Sequence, residues 1–307
     1  MTEQTLDLVA TKEKNNAALS SVVAAVGLTT IKIVVGILTG SLGILAEAAH
    51  SGLDLVAALV TLFAVRASSR GADVEHTYGH GKIENLSALF ETLLLLATSV
   101  WIIYEAIQRL FFKSVEVEVS IWAFLVMATS IVIDFTRSRI LSAAAKKHNS
   151  QALEADALHF RTDIWSSSVV IAGLVLVMLS KLVPSLSFLG NADAIAALGV
   201  ALIVIYVSFQ MGMRTIQALM DSAPAGSEET IKKIAESIEG VTDCHNIRVR
   251  ASGPTYFADV HVRLKGSLSV KAAHEKTLII QQKIREVYPA MDVMVHIEPI
   301  LPRTKSK

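Results

Sequence analysis

Two segments place an acid, a histidine and a second acid at the same intervals. One reads Ala46-Glu47-Ala48-Ala49-His50-Ser51-Gly52-Leu53-Asp54, the other Ala155-Asp156-Ala157-Leu158-His159-Phe160-Arg161-Thr162-Asp163. In each, the histidine and the last acid are four residues apart, so on a helix they share a face, one turn apart. Two such helices side by side offer two imidazoles and two carboxylates, from His50, Asp54, His159 and Asp163. That set suits Zn²⁺, which takes four nitrogen, oxygen or sulfur ligands tetrahedrally. Lacking sulfur, it does not select Cu(I). It has too few oxygens for Ca²⁺, and Mg²⁺ prefers octahedral oxygen with retained water. Co²⁺, Cd²⁺, Fe²⁺ and Mn²⁺ remain compatible. Glu47 and Asp156 precede the histidines by one turn. They either orient the imidazoles or line an ion path, or they are structural groups pairing with backbone or a neighbouring helix.

The elements that hold these residues are apolar. Of 307 residues, 52% are hydrophobic and 18% charged, which fits a membrane protein with a soluble appendage. Six stretches meet the roughly 20 residues a helix needs to cross the hydrocarbon: Ala17–Thr39, Leu42–Val65, Leu86–Phe111, Ser120–Leu141, Ala152–Ser180 and Ala192–Ile216. Gly40, Ser41 and Gly43 form the short turn between the first two. Ionisable groups inside such spans are costly and are kept for function. Lys12, Lys14, Arg66, Arg70, Lys82, Arg137, Arg139, Lys146 and Lys147 fall on one side, against Lys113 and Lys181 on the other. The basic side is cytoplasmic, which puts both termini inside. Lys32, within the first span, is expected to snorkel toward an interface. The polar start, 1–16, lacks a signal-peptide pattern. These readings divide the chain into an N-terminal segment 1–16, a six-helix transmembrane domain 17–220 and a C-terminal domain 221–307.

After Asp221 the composition changes, with Ala223-Pro224-Ala225-Gly226 as a breaker. A helix is expected from Ser227, as cap, to about Ile238. Strands are expected over Asn246–Ala251, Tyr256–Leu264 and Met291–Ile297, with a helix over Ser269–Val287. The fold class is thus an all-α membrane domain plus a small α+β (αββαβ) domain of about 85 residues, small enough to gain from pairing with a second copy. The single cysteine, Cys244, excludes a disulfide framework. Zero net charge gives no reason to expect nucleic acid as a partner.

Metal binding needs neutral imidazole, so protons and metal compete for His50 and His159. Proton antiport with alternating access follows as the expected cycle, the lipid bilayer, protons and divalent ions being the partners. Two other functions use the same residues. A membrane-embedded zinc hydrolase would need an open metal position and a base such as Glu47 or Asp156, but four protein ligands close the shell. A non-transporting metal sensor would dispense with His50 and Asp54.

The chain resembles the cation diffusion facilitator family. The resemblance is carried by Ser41-Leu42-Gly43-Ile44-Leu45-Ala46-Glu47-Ala48-Ala49-His50-Ser51-Gly52-Leu53-Asp54, by Tyr78-Gly79-His80-Gly81-Lys82-Ile83-Glu84, by His159 with Asp163, and by Val295-His296-Ile297-Glu298-Pro299. It implies six spans in the inner membrane, a cytoplasmic metallochaperone-like (ferredoxin-like) tail, a homodimer, and zinc-type export by proton antiport rather than enzymatic activity. Within the family, paired His/Asp sets go with zinc-preferring members, and iron/zinc bacterial relatives often have Asp where His50 stands. The resemblance also implies a loop metal site at Asp73, His76 and His80, where a solvated polar loop is the plain alternative. It implies a binuclear C-terminal site at His245, His261, His274, His296 and Glu298, where the family's usual acid is Asp. Packing histidines are the alternative there. Cys244 is either a further thiolate ligand or a small buried apolar residue. Lys82 and Asp221 match a family charge pair that couples tail to helices.

Overall fold

The computed structural model describes residues 3–111, 121–182 and 192–300; Lys113, Ser120 and residues 301–307 lie outside them. Among the described residues, six long helices come first: α1 (Glu3–Thr39), α2 (Leu42–Ser68), α3 (Lys82–Phe111), α4 (Ile121–His148), α5 (Gln151–Leu182) and α6 (Ala192–Leu219). The C-terminal part contains α7 (Ser227–Glu236), β1 (Asp243–Ser252), β2 (Thr255–Leu264), α8 (Val270–Val287) and β3 (Met291–Pro299). The chain divides into two compact units. The first is Met1–Arg70 with Ile83–Thr215, the second Gly71–Lys82 with Ile216–Lys307.

In the first unit, α1, α2, α4 and α5 share one core. Small side chains let the backbones approach: Ala17, Ala18, Ala58, Ala145, Ala152 and Ala157 are buried there beside Leu62, Leu141, Leu153 and Phe160. Large apolar side chains such as Phe63, Trp101, Tyr104 and Phe209 stay exposed, as on a helix bundle surrounded by lipid. Among the described residues, four helical stretches are apolar and long enough to cross a membrane on composition alone: Leu8–Thr39, Glu47–Ser68, Lys82–Gln108 and Ala197–Leu219. Helices α4 and α5, 28 and 32 residues long, match them in length. Their apolar runs are interrupted by Asp134, Arg137 and Arg139 on α4 and by Asp156, His159, Arg161 and Asp163 on α5. Gly40 takes the positive φ that reverses the chain between α1 and α2, and Ser41 caps α2 by accepting from the Ile44 amide.

Lys32 does not snorkel. It is 4% exposed and held inside the bundle, its Nζ 2.8 Å from Ser51 Oγ and 3.2 Å from Glu47 Oε2. An ion pair with a nearby helix satisfies the ammonium where it lies, so the stem need not carry it to an interface.

In the second unit, β1 pairs antiparallel with β2, and β3 joins β2 in parallel. The helices α7 and α8 cover one face through Ile231, Ala235, Ile280 and Ile284, packed on Val249, Val260, Val262 and Val293. Two sequence expectations change here. Ser227 does not cap α7: Gly226, at φ 75°, precedes the helix, and Ser227 Oγ donates to the Pro224 carbonyl at 2.7 Å. Strand β1 starts at Asp243 rather than Asn246, because Asn246, at φ 49°, lies in an irregularity between His245 and Arg248 that interrupts the ladder without ending it.

The Gly71–Lys82 segment between α2 and α3 docks on the β1–β2 hairpin. The Tyr78 ring meets Phe257 edge-on at 5.1 Å, and the Arg250 guanidinium lies 3.7 Å from the Tyr78 ring centre. Gly81 and Gly253 approach backbone to backbone: a Cβ on Gly81 would enter the Ser252 carbonyl, and one on Gly253 would enter the Gly81 carbonyl.

Candidate metal centres

Helices α2 and α5 bring the repeated pattern to one point. His159 Nε2 lies 3.1 Å from Asp54 Oδ1 and 3.6 Å from Asp163 Oδ2. His50 Nε2 lies 3.9 Å from Asp54 Oδ1 and 3.9 Å from Asp163 Oδ1. Each histidine therefore faces both acids, one from its own helix and one from the other. His50, Asp54 and Asp163 also place one ligand atom each within 4.8 Å of one another. A regular tetrahedron with bonds of about 2.0–2.1 Å has edges of about 3.3–3.4 Å; the four His–Asp separations of 3.1–3.9 Å are close to that, while His159 stands outside the group of three whose ligand atoms all lie within 4.8 Å of one another. His159 is buried, whereas the His50 side chain is 44% exposed.

The two acids one turn earlier diverge. Glu47 pairs with Lys32. Asp156 is fully buried and accepts from Ser21 Oγ at 3.2 Å; that hydroxyl in turn receives Arg137 Nη2 at 3.0 Å. Arg137 also pairs with Asp134 at 3.3 Å and lies over the Phe160 ring at 3.5 Å. Glu91 on α3 joins this buried polar region, accepting from Thr61 of α2. Asn85 donates to Gln151 at 2.8 Å, and Ala88 shares a small apolar cluster with Ala155, Met211 and Leu158. Glu91 Oε2, Asp156 Oδ1 and His159 Nδ1 are all buried without a hydrogen-bond partner. Sequence reading passed over Glu91; a lone acid within an apolar span was the available signal. Glu84, which ends the Tyr78-to-Glu84 motif but was given no role there, is fully buried and takes Lys14 Nζ at 2.8 Å, Ser68 Oγ at 2.9 Å and the Ser150 hydroxyl.

The loop residues form a second cluster. Asp73 lies 3.4 Å from His76 Nδ1 and 3.4 Å from His80 Nε2. The segment is a series of turns rather than a helix. Asp73 Oδ1 accepts from the His76 and Glu75 amides at 2.6 and 3.0 Å, and the His76 amide bond is foremost in holding this carboxyl below its ordinary range.

In the C-terminal unit, three histidines stand in one row across the sheet: His245 opposite His261, and His261 opposite His296. Glu298 Oε2 lies 3.2 Å from His245 Nε2, and Glu298 Oε1 lies 3.0 Å from His261 Nδ1. The hydrogen bond from His261 is the main cause that keeps the Glu298 carboxyl below its ordinary value. The His261 and His296 rings are 4.7 Å apart, whereas His274 is exposed on α8 and outside the His245/His261/Glu298 cluster. Cys244 is no ligand candidate. Its side chain is buried in the apolar core, and that burial pushes the thiol up to about 11. Asp243, 3.0 Å from His245 Nδ1, was not singled out by sequence; its place beside the cluster comes from the strand register that sets it opposite Arg263. Lys82 Nζ is 2.9 Å from Asp221 Oδ1, so that charge pair forms.

Similarity to known proteins covers both units. Residues 18–220 match the family described as cation efflux transmembrane domain, and residues 223–300 the cation efflux protein, cytoplasmic domain. The cation-efflux pump FieF of Salmonella arizonae is 33% identical over 302 residues, covering 95% of this chain and 96% of that protein, and FieF of Salmonella newport gives the same figures. Among solved structures, the metal-bound C-terminal domain of the CzcD transporter from Thermotoga maritima is 29% identical, with a TM-score of 0.24, covering 25% of this chain and 91% of that one. The cytosolic domain of a cation diffusion facilitator family protein is 32% identical, with a TM-score of 0.22, covering 24% and 87%. Members of this family are transporters, so the hydrolase reading falls away. The chain belongs to the cation diffusion facilitator family of cation-efflux membrane transporters.

Proposed function

We propose that the chain exports Zn²⁺ from the cytoplasm in exchange for protons, with His50, Asp54, His159 and Asp163 as the transport site. The observation that supports this most is the alternating contact of two imidazoles and two carboxylates at 3.1–3.9 Å between α2 and α5. These donors fit a tetrahedral ion with no sulfur preference. An ion held only by groups that must be proton-free is expelled when those groups are reprotonated, which couples release to the proton-rich side. Cd²⁺, Co²⁺, Fe²⁺ and Mn²⁺ are the competing substrates to be ranked.

In this reading the protein is a homodimer in the inner membrane with both termini cytoplasmic. The loop cluster of Asp73, His76 and His80 and the C-terminal cluster around Glu298 bind regulatory ions, and the Lys82–Asp221 pair couples the tail to the helices that carry the transport site. The donor sets fit such ions: two histidines and one acid stand together in each cluster, with no thiolate. Glu298 touches two histidines despite the methylene it has over the family's usual Asp.

The test is initial cation flux in proteoliposomes with and without an imposed pH gradient. Zn²⁺ uptake driven by the gradient in wild type, lost in Asp163→Ala, is the expected result. Normal transport by Asp163→Ala would refute the site, and flux indifferent to the gradient would refute antiport.

A further inference from the structure

The row of the C-terminal sheet next to the histidines is charged. In register across the three strands stand Asp243, Arg263 and Glu298. They are offset by two residues from His245, His261 and His296, so both rows lie on the same sheet face. Arg263 occupies the middle. Its Nη1 is 3.0 Å from Asp243 Oδ2 and its Nε 3.6 Å from Glu298 Oε2. The same Glu298 oxygen is the one 3.2 Å from His245 Nε2, and the same Asp243 oxygen the one 3.0 Å from His245 Nδ1. The Asp243–His245 approach is close but not aligned as a hydrogen bond.

We propose that Arg263 sets the metal affinity of this cluster: it is a tethered cation that shares Glu298 with the histidines, and a divalent ion takes full possession of Glu298 only by displacing it. The inference rests on the reading that the C-terminal cluster binds a divalent ion. Two acids and one arginine leave this row with a net charge of −1 (−1 + 1 − 1) where the acids alone would give −2. An arriving cation meets a site already half neutralised. Arg263 is well suited to hold that position, since a guanidinium cannot lose its charge and presents donors on both sides. Asp243 is the tether. It keeps the guanidinium in the row after Glu298 has turned to the ion, and it lies beside His245 Nδ1, the position from which a carboxylate holds an imidazole with its other nitrogen toward a metal. Arg263 and Asp243 are positioning residues here and do not themselves coordinate.

The plain alternative is a cross-strand ion pair that only steadies the sheet. Arg263 is 46% exposed, and an exposed pair contributes little to stability. The two roles predict opposite signs. A steadying pair, once removed, leaves metal binding unchanged or weaker; a competing cation, once removed, makes it tighter. Loss of structure cannot imitate a gain in affinity.

The experiment is Zn²⁺ titration of the full-length protein in detergent, against a competing chelator dye. His261→Ala identifies which binding step belongs to the C-terminal cluster. Arg263→Gln should tighten that step by about tenfold and Arg263→Lys, which keeps the charge, should stay within about threefold of wild type. Asp243→Asn should weaken the step by about tenfold, the lower end for loss of a group that orients a ligand. Equal affinity in wild type and Arg263→Gln overturns the inference while leaving the cluster as a metal site. A lysine variant as tight as the glutamine variant also overturns it, because charge would not be the cause. A His261→Ala titration identical to wild type instead refutes metal binding by the cluster.

Discussion

Asp54 on α2 is closer to His159 on α5 than to His50 on its own helix: 3.1 Å against 3.9 Å. The cluster is therefore knitted across the helix pair: Asp54 and His159 are nearest to each other, whereas Asp163 is nearer to His159 of its own helix, at 3.6 Å, than to His50, at 3.9 Å. Groups that act as one unit give non-additive losses. Asp54→Ala and His159→Ala are each expected to lower the initial Zn²⁺ flux by more than about tenfold. The double variant is expected to fall within about twofold of the worse single one. Two independent losses that multiply would show that the residues act separately.

Lys32 and Glu47 form an ion pair with unequal burial, the amine side chain 4% and the acid side chain 49% exposed. Removing one partner of a pair leaves the other's charge behind, and the cost depends on how deeply that charge is buried. Glu47→Ala strands a buried ammonium, while Lys32→Met strands a carboxylate that reaches solvent. Glu47→Ala is expected to lower the melting temperature more than Lys32→Met does. Thermal unfolding of both variants in detergent measures this, and the reverse order would show that the lysine is solvated.

Gly81 has no room for a side chain, since a Cβ there would enter the Ser252 backbone. The neighbouring atom is a carbonyl in a strand end and cannot swing aside. Gly81→Ala is expected to destabilise the docked segment by about 1–3 kcal/mol, the usual cost of overpacking. Faster hydrogen exchange should appear in Tyr78–Lys82 and at the β1–β2 turn. Lys82→Gln should cost less than about 1 kcal/mol, because its pair with Asp221 is exposed. A larger effect from Lys82→Gln than from Gly81→Ala would count against the steric account.

The metal-free C-terminal unit should also respond to acid through Glu298. Its carboxyl is held below the ordinary value of 4.5, first by His261 and then by the charges of His245, His261 and Arg263. A depressed acid stabilises the fold fully above its unfolded value, and that contribution disappears as the pH falls through the folded value. Hydrogen exchange in β3, corrected for intrinsic rates, should therefore quicken as the pH drops below about 4.5 with chelator present. Glu298→Gln should flatten the dependence. An unchanged slope in that variant would assign the acid response to other groups.

The meeting of His50, Asp54, His159 and Asp163 was legible because helical geometry is local: a four-residue spacing fixes a shared face, and a repeat implies two facing copies. The long helices followed from apolar length. Local rules failed where a partner comes from elsewhere in the chain. Nothing near Lys32 in sequence announces Glu47 and Ser51, fifteen and nineteen positions away. The Asp243–Arg263–Glu298 row depends on the register of three strands and on a ladder that continues past Asn246, whose backbone resembles a strand terminus. Ser227 fits the cap pattern of α7, but Gly226 takes the cap position and leaves the hydroxyl to bond backward to Pro224.

The sealed position of Cys244 has a practical use. With one thiol in the chain, fully enclosed and reluctant to ionise, the native protein should be silent toward maleimides and spin-label reagents. Reporter cysteines can then be introduced singly on α2 or α5 without first stripping the background. Distances between labels on two copies of the chain would follow the helices through a transport cycle.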